Sequence, residues 1–356
     1  MSDFTLKINN TIYDTWDQVM IYKSMNSLAG GFGCRTSDFY PGKPSEWGIT
    51  MNDLCTAQIN GIDQVTGYMD RMPLTYGSRG YVLNIAARSK AGDLIDCPIS
   101  EPPNEWKGQT IKSIIEAMCG KFDAIKVVVD SSVAAKVNIK IPEFKADEGA
   151  EVADMILQLS QTNGIVAMSD GSGNILLTQT TKTNKATDII SIDNTTIEGK
   201  LLSSNENRFS KYIAKGLGRG TDEKKMSDYL HCVGEISDSI INRHRPKVIL
   251  VDGNVDISQC ISRARWEARV RAGKSRMLQY TLPEWEQSNG KVWDVNMLVD
   301  VQDEFLDIDD EMLISDILFV GNADPNEGDY AVATIVDKST YELSGDAIKI
   351  SAGFDA

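Results

Sequence analysis

The chain has 356 residues and a formal net charge of −15, a length at which one core stops being efficient and two or three domains are expected. Apolar residues make up 42% and charged ones 24%, ordinary for a soluble globular protein, and no apolar run approaches the ~20 residues of a membrane span. From Asp294 to the end there are sixteen acidic and two basic residues, a balance of −14, so the other 293 residues sum to about −1. Gripping nucleic acid draws on clustered Lys and Arg, and this charge distribution argues against it.

The first residues, MSDFTLKINN, carry neither the basic start nor the apolar core of a secretory signal. Segments FTLKIN and WDQVMIYKSM within residues 4–23 read as strands, the second alternating with period two. GGFGCRTSDF (Gly30–Phe39) reads as another, followed by a loop with Pro41, Gly42 and Pro44. CTAQIN, QVTGYMDRM and GYVLNIAARS are three more short strands separated by polar turns. This density of short strands predicts a sandwich or barrel over residues 1–100.

After AGDLIDCPI (Ala91–Ile99) the pattern changes. EPPNEW is a proline-rich break, and Thr110 is placed to cap a helix with Ile111, Ile114, Ile115 and Met118 inward. KVVVD and VNIKIP read as strands. Asp147–Asn163 reads as a second helix, with Val152, Met155, Ile156 and Leu159 inward and Gly164 as its stop. GIVAMSDGSGNILLTQ reads as a hairpin around Asp-Gly-Ser-Gly. Residues 101–185 therefore form a small α/β unit inserted between β-rich parts.

Strands dominate again over 186–356: TDIISI, RFSKYIAKGLG, SIINRHRPK, KVILVD, EMLISDILFVG and DYAVATIVD. Between the last three, Asp256 and Gln259 fit a capping box, and a helix is expected over Asp256–Ala272, ending at Gly273. Ile257, Ile261, Ala264 and Ala268 give it one narrow, small-residue stripe. Trp266 and Val270 project from nearly the opposite side, so both faces are expected to be packed, one of them against another part of the chain or a second subunit. LQYTLPEW (Leu278–Trp285) and KVWDVNMLVDV (Lys291–Val301), joined through Asn289-Gly290, predict a long hairpin. The fold class is α+β, mainly β.

Six segments in register resemble the central baseplate hub of contractile-tailed phages of the Mu type. They are TGYMD (Thr66–Asp70), ARSKAGDLIDC (Ala87–Cys97), EWKGQTIKSIIEAMC (Glu105–Cys119), RFSKYIAKG (Arg208–Gly216), NRHRPKVILVD (Asn242–Asp252), and the run from Trp285 through Gly290, Trp293 and Asn296 to Val299. The resemblance spans about 60 to 330. It implies a structural virion protein with two domains shaped like tail-tube β-barrel subunits plus the small insertion. Its implied assembly is a homotrimer joining the tail tube, or a distal tube protein, to the central spike among other baseplate proteins. DNA would pass through it without specific binding or membrane insertion.

Two readings stand beside that one: a hub component of a type VI or other contractile injection machine, and a tail-associated hydrolase. Against the hydrolase, the chain has only His231 and His244, with no HExxH or GxSxG. No cofactor is expected. The six cysteines (34, 55, 97, 119, 232 and 260) are scattered without a CxxC pair, as in a chain synthesised in the host cytoplasm with reduced thiols. Gly216-Leu-Gly-Arg-Gly220 lacks the Lys-Ser/Thr of a phosphate loop and reads as a turn. In DEFLDIDDE (Asp303–Glu311), the alternating Asp307, Asp309 and Glu311 would hold calcium only if a loop converged them. The acids Asp300, Asp303, Glu304, Asp307, Asp309 and Asp310 are otherwise candidates for an acidic channel lining or an outer rim.

Overall fold

The computed structural model describes residues 3–9, 11–38, 48–78, 80–100, 102–122, 124–146, 149–192, 195–218, 231–324 and 328–343. The N-terminal third contributes eight strands: β1 (Phe4–Ile8), β2 (Thr11–Tyr13), β3 (Gln18–Ser24), β4 (Gly31–Asp38), β5 (Leu54–Ile59), β6 (Ile62–Arg71), β7 (Leu74–Gly77) and β8 (Gly80–Ser89). Period-two alternation places Val19, Ile21, Leu83, Ile85 and Ala87 in the core, as the pleat requires.

The middle unit begins with α1 (Gly92–Asp96), β9 (Glu105–Thr110) and α2 (Ile111–Cys119). It continues with β10 (Val127–Val129), α3 (Ala134–Val137), β11 (Lys140–Lys145), α4 (Val152–Thr162), β12 (Val166–Ser169) and β13 (Ile175–Thr178). Thr110 accepts from Ser113 N at 3.2 Å and caps α2. Ile111, Ile114, Ile115 and Met118 meet Val152, Met155, Ile156 and Leu159 in one core. The second helix starts later than expected because Glu151 bridges Pro98 in extended form and Val152 N donates to Cys97 O; Asp147 lies outside the described residues. Val137 belongs to α3, so the predicted VNIKIP strand begins only at Lys140.

The last third holds β14 (Ile190–Ser191), β15 (Glu198–Ser203), β16 (Lys211–Leu217), β17 (Cys232–Ser237), β18 (Pro246–Asn254), α5 (Ile257–Ser275), β19 (Arg276–Leu282), β20 (Met297–Asp303), β21 (Ile308–Asn322) and β22 (Tyr330–Asp337). The first seven residues of SIINRHRPK form a turn, because Ile240 N and Arg245 N donate to the side chains of Asp238 and Ser210, and the strand starts only at Pro246. Strands β17, β16 and β18 form a separate sheet, with β16 and β18 parallel.

The two β-rich thirds do not form separate barrels. β3 pairs with β21 from Ser24↔Asp316 to Gln18↔Asn322, and a single 14-stranded sheet follows the path β15-β19-β22-β21-β3-β4-β8-β6-β5-β1-β2 without closing, with β20, β14 and β7 paired off that path. The predicted long hairpin is cut short, its ladder ending where Trp293 N donates to Trp285 O. Asn289-Gly290 does turn, with Gly290 at φ +79, but only Glu286 bridges Val292 beyond it. β19 pairs with β15 and β22, and β20 with β21 and β14. Trp293 N still donates to Trp285 O at 3.0 Å, and the segments part only beyond these two buried residues, where β19 and β20 find other strands.

α5 starts with the expected capping box of Asp256 and Gln259. Of the expected stripe Ala264 and Ala268 pack on the β16–β18 sheet together with Cys260, whereas Ile257 is exposed and Ile261 only partly buried. The helix sits so close that a Cβ on Gly234 would lie 2.2 Å from Ile261 N. Gly273 is not its stop. It lies inside the helix, where a Cβ would come 2.2 Å from Thr340 Oγ1, so glycine serves close packing. At the helix end Arg208 and Asp238 form a fully buried, bidentate pair at 2.6 and 3.1 Å, and Arg208 Nη1 donates to Ser275 Oγ at 2.9 Å. Removing one partner strands a buried charge. Asp238→Ala is therefore expected to cost about 3–5 kcal/mol, read as a lower urea midpoint with unchanged slope; a shift within error would contradict that burial.

Candidate functional site

On α5, Trp266 is 4% exposed and its ring lies 6.3 Å from that of Tyr341. The chain itself therefore covers Trp266, while Val270 is partly buried beside it. Both residues line a cleft of about 470 Å³ with Glu267, Arg271, Lys274 and Ser275 of α5. Ser204 and Asn207 after β15, Met277 of β19 and Gln161 of α4 complete it.

Of the three charged side chains lining this cleft, Arg271 and Lys274 are cationic and Glu267 is anionic. Glu267 accepts from Arg263 at 3.1 Å and from Arg271 at 2.7 Å, pairs one helical turn apart. Burial would raise the Glu267 carboxyl, but Arg263 and Arg271 outweigh it and hold it below the usual carboxylate value. Arg271 also donates to Asn207 O at 3.1 Å and lies 5.4 Å from the Phe209 ring centroid. Lys274 makes no hydrogen bond or ion pair among the described residues. Burial lowers its pKa, and the charge of Asp316 offsets this only in part.

The acidic segment is the turn and flanks of the β20–β21 hairpin. Asp303 is 2% exposed, accepts from Tyr280 Oη at 2.7 Å and holds the turn through Leu306 N. It is therefore removed from the candidate channel acids, because its carboxylate is occupied inside the chain. Glu304 and Asp307 are exposed on the turn, as is Phe305 at 85%. Register sets Asp300 opposite Glu311 and Gln302 opposite Asp309, so these share a face; Asp310, opposite Val301, takes the other. Lys185 reaches Asp300 at 2.8 Å and Glu311 at 3.0 Å, and Lys338 reaches Glu311 at 3.1 Å.

Among the described residues no three of His, Cys, Asp and Glu converge as a metal ion would require. For Asp307, Asp309 and Glu311 the cause is the hairpin: the first is on the turn, and Glu311 is already taken by two lysines. His231 and His244 are exposed. Arg219 and Gly220 of the glycine cluster lie outside the described residues. No helix is long and apolar enough to cross a membrane among the described residues. Sequence reasoning missed the cleft, although Glu267, Arg271 and Lys274 at helical spacing are visible in it; nothing local marks Lys185 as the partner of Asp300.

Family models match three segments of the chain. Residues 3–89 match the N-terminal domain of the GpP-like Mu phage baseplate assembly protein, residues 91–179 the second domain of the gp44-like baseplate hub protein, and residues 257–337 the fourth domain of Mu phage baseplate assembly protein GpP. The baseplate hub protein gp44 of Escherichia phage Mu is 24% identical over 324 residues, covering 89% of this chain and 84% of that protein. The 43 kDa tail protein of prophage MuSo2 from Shewanella oneidensis superposes with a TM-score of 0.80 at 28% identity, over 96% of this chain and 99% of that one. The c3393 protein of E. coli, a component of the type VI secretion system, shares the fold alone: TM-score 0.55 at 9% identity, over 97% of this chain and 80% of that one.

Two expectations follow from the cleft. Trp266→Ala should cost the isolated chain about 3–5 kcal/mol, seen as a lower urea midpoint; full stability would place the ring outside the core. For Glu267, a depressed folded pKa contributes stability that is present above the unfolded value, about 4.3, and is lost as pH falls through the folded value. Glu267→Gln should accordingly flatten the fall in stability between pH 5 and 3, measured by urea titration at each pH. An unchanged slope would show that the two arginines do not hold this carboxylate.

Proposed function

We propose, for a chain that is a structural baseplate hub protein of a phage tail and a homologue of the Mu hub, that it works as a homotrimer joining the tail tube to the central spike. The supporting observation is the likeness to hub and tail proteins over nearly the whole chain, its homologues being structural rather than catalytic. The open sheet adds a physical reason to assemble. Among the described residues β2 pairs only with β1 and β15 only with β19, so each edge leaves unpaired backbone groups that a neighbour can cover. Three chains, each contributing the two β-rich thirds that share one sheet, would present six positions to a sixfold tube. Spike, tube or distal tube protein and other baseplate proteins are the partners of this reading.

In the ring the hub encloses a channel for DNA. A wall of like charge in a narrow low-dielectric passage repels phosphate and keeps it hydrated. With Asp303 buried and Asp300 paired to Lys185, the wall charge falls to Asp309 and Asp310, with Glu304 and Asp307 at the turn. Strand alternation lets only one of Asp309 and Asp310 face the axis.

The chain, 39.2 kDa as a monomer, should give three times that mass by native mass spectrometry, alone or mixed with its spike. A strict monomer at high concentration with spike present overturns the reading. Asp309→Lys with Asp310→Lys should slow DNA delivery by assembled virions without blocking assembly; normal delivery would sink the channel wall and leave the hub standing.

A further inference from the structure

The acidic turn and the basic cleft are complementary in chemistry and lie apart in the chain. Phe305 stands almost fully in water at the end of the β20–β21 hairpin, next to Glu304. Aromatic side chains offered this way anchor interfaces when a pocket receives them. The cleft on α5 has the reverse character. Trp266, Val270 and Met277 give it an apolar wall, Arg271 and Lys274 a cationic side, and Lys274 has no ion pair among the described residues. Its volume of about 470 Å³ falls in the ~300–1,000 Å³ range of clefts that bury a ligand. Burial of the Lys274 ammonium is offset only in part by the charges of Asp316 and Glu267, and a carboxylate brought to hydrogen-bonding distance would recover more of that cost.

We infer that the cleft receives the Glu304–Phe305 turn of a second copy of this chain, the phenyl ring against Trp266, Val270 and Met277 and the Glu304 carboxylate at Lys274. Phe305 is exposed within its own chain, so the turn is not seated in its own cleft. Turn and cleft are different surfaces of one molecule, so the contact is heterologous, the kind that closes a ring when the rotation permits. It rests on the ring-forming reading above and names the contact that makes the ring. It uses Glu304 and leaves Asp309 and Asp310 free for the channel, so charge reversal at the two places has different effects.

The test uses the full chain with Cys97, the one cysteine that is not buried, changed to serine. Phe305→Cys and Val270→Cys are made in separate chains, mixed and oxidised mildly. Interchain disulfide dimers are expected from the mixture and from neither variant alone. In parallel, Lys274→Glu and Glu304→Lys should each weaken ring formation by about tenfold or more, and the two together should restore most of it, as for coupled charges across an interface. Restoration also shows that the single variants were folded. Rings that form without the mixed disulfide and ignore both reversals overturn the contact while leaving the hub trimer intact. Weakening by each reversal without restoration by the pair overturns it too, as would a chain that binds only another tail protein's acidic segment through the cleft. A chain that forms no ring at all, with or without spike, overturns the ring reading and this contact with it.

Discussion

The pairing of β3 with β21 carries the rest of the molecule. It joins residues near the two ends of the chain, with Gln18 Nε2 and Asn322 Oδ1 at 3.1 Å across 304 positions. Because closure entropy rises only with the logarithm of loop length, so distant a pairing costs little more than a nearer one. The return is large. Ile21 and Phe319 face each other fully buried, and the backbone groups of two strands that would otherwise be sheet edges are satisfied.

The join also positions α5. Asp316, at the end of the shared register, accepts from Tyr22, Ser24 and Asn26. Asn26 in turn accepts from Tyr341 Oη at 2.7 Å, and the Tyr341 ring packs on Trp266. Trp266 is thereby tied to the main core while Ala264 and Ala268 on the other face pack on the β16–β18 sheet. A helix held on both faces can display Arg271 and Lys274 along the remaining side at fixed positions. A surface built to receive a neighbour needs that rigidity, because a partner binds more tightly when less ordering remains to be done.

Most elements could be read from local pattern. Alternation marked β3, short runs between polar turns marked β4, β5, β6 and β8, and the apolar spacing of α2 and α4 named their buried residues correctly, since a helix or strand with one wet face advertises it in sequence. Capping at Thr110 and Asp256 was equally legible, because both partners lie within three residues. The failures share one cause. Leu278–Trp285 and Lys291–Val301 looked like a long hairpin, yet beyond Trp285 and Trp293 the strands pair with β15, β22, β21 and β14 from elsewhere in the chain. Gly273 looked like a helix stop, yet Thr340 explains it.

The sequence by itself determined most of the elements, the mainly β class and the resemblance to a phage hub, because each rests on periods and motifs of a few residues. Tertiary structure alone decided that the two β-rich thirds share one sheet and that Asp303 is spent on Tyr280 and Asp300 on Lys185. It alone also opened a cationic cleft beside Trp266. Those outcomes depend on which edge finds which edge and which charge finds which partner across a hundred residues or more, and backbone pairing and Coulomb attraction leave no local signature of a partner's address.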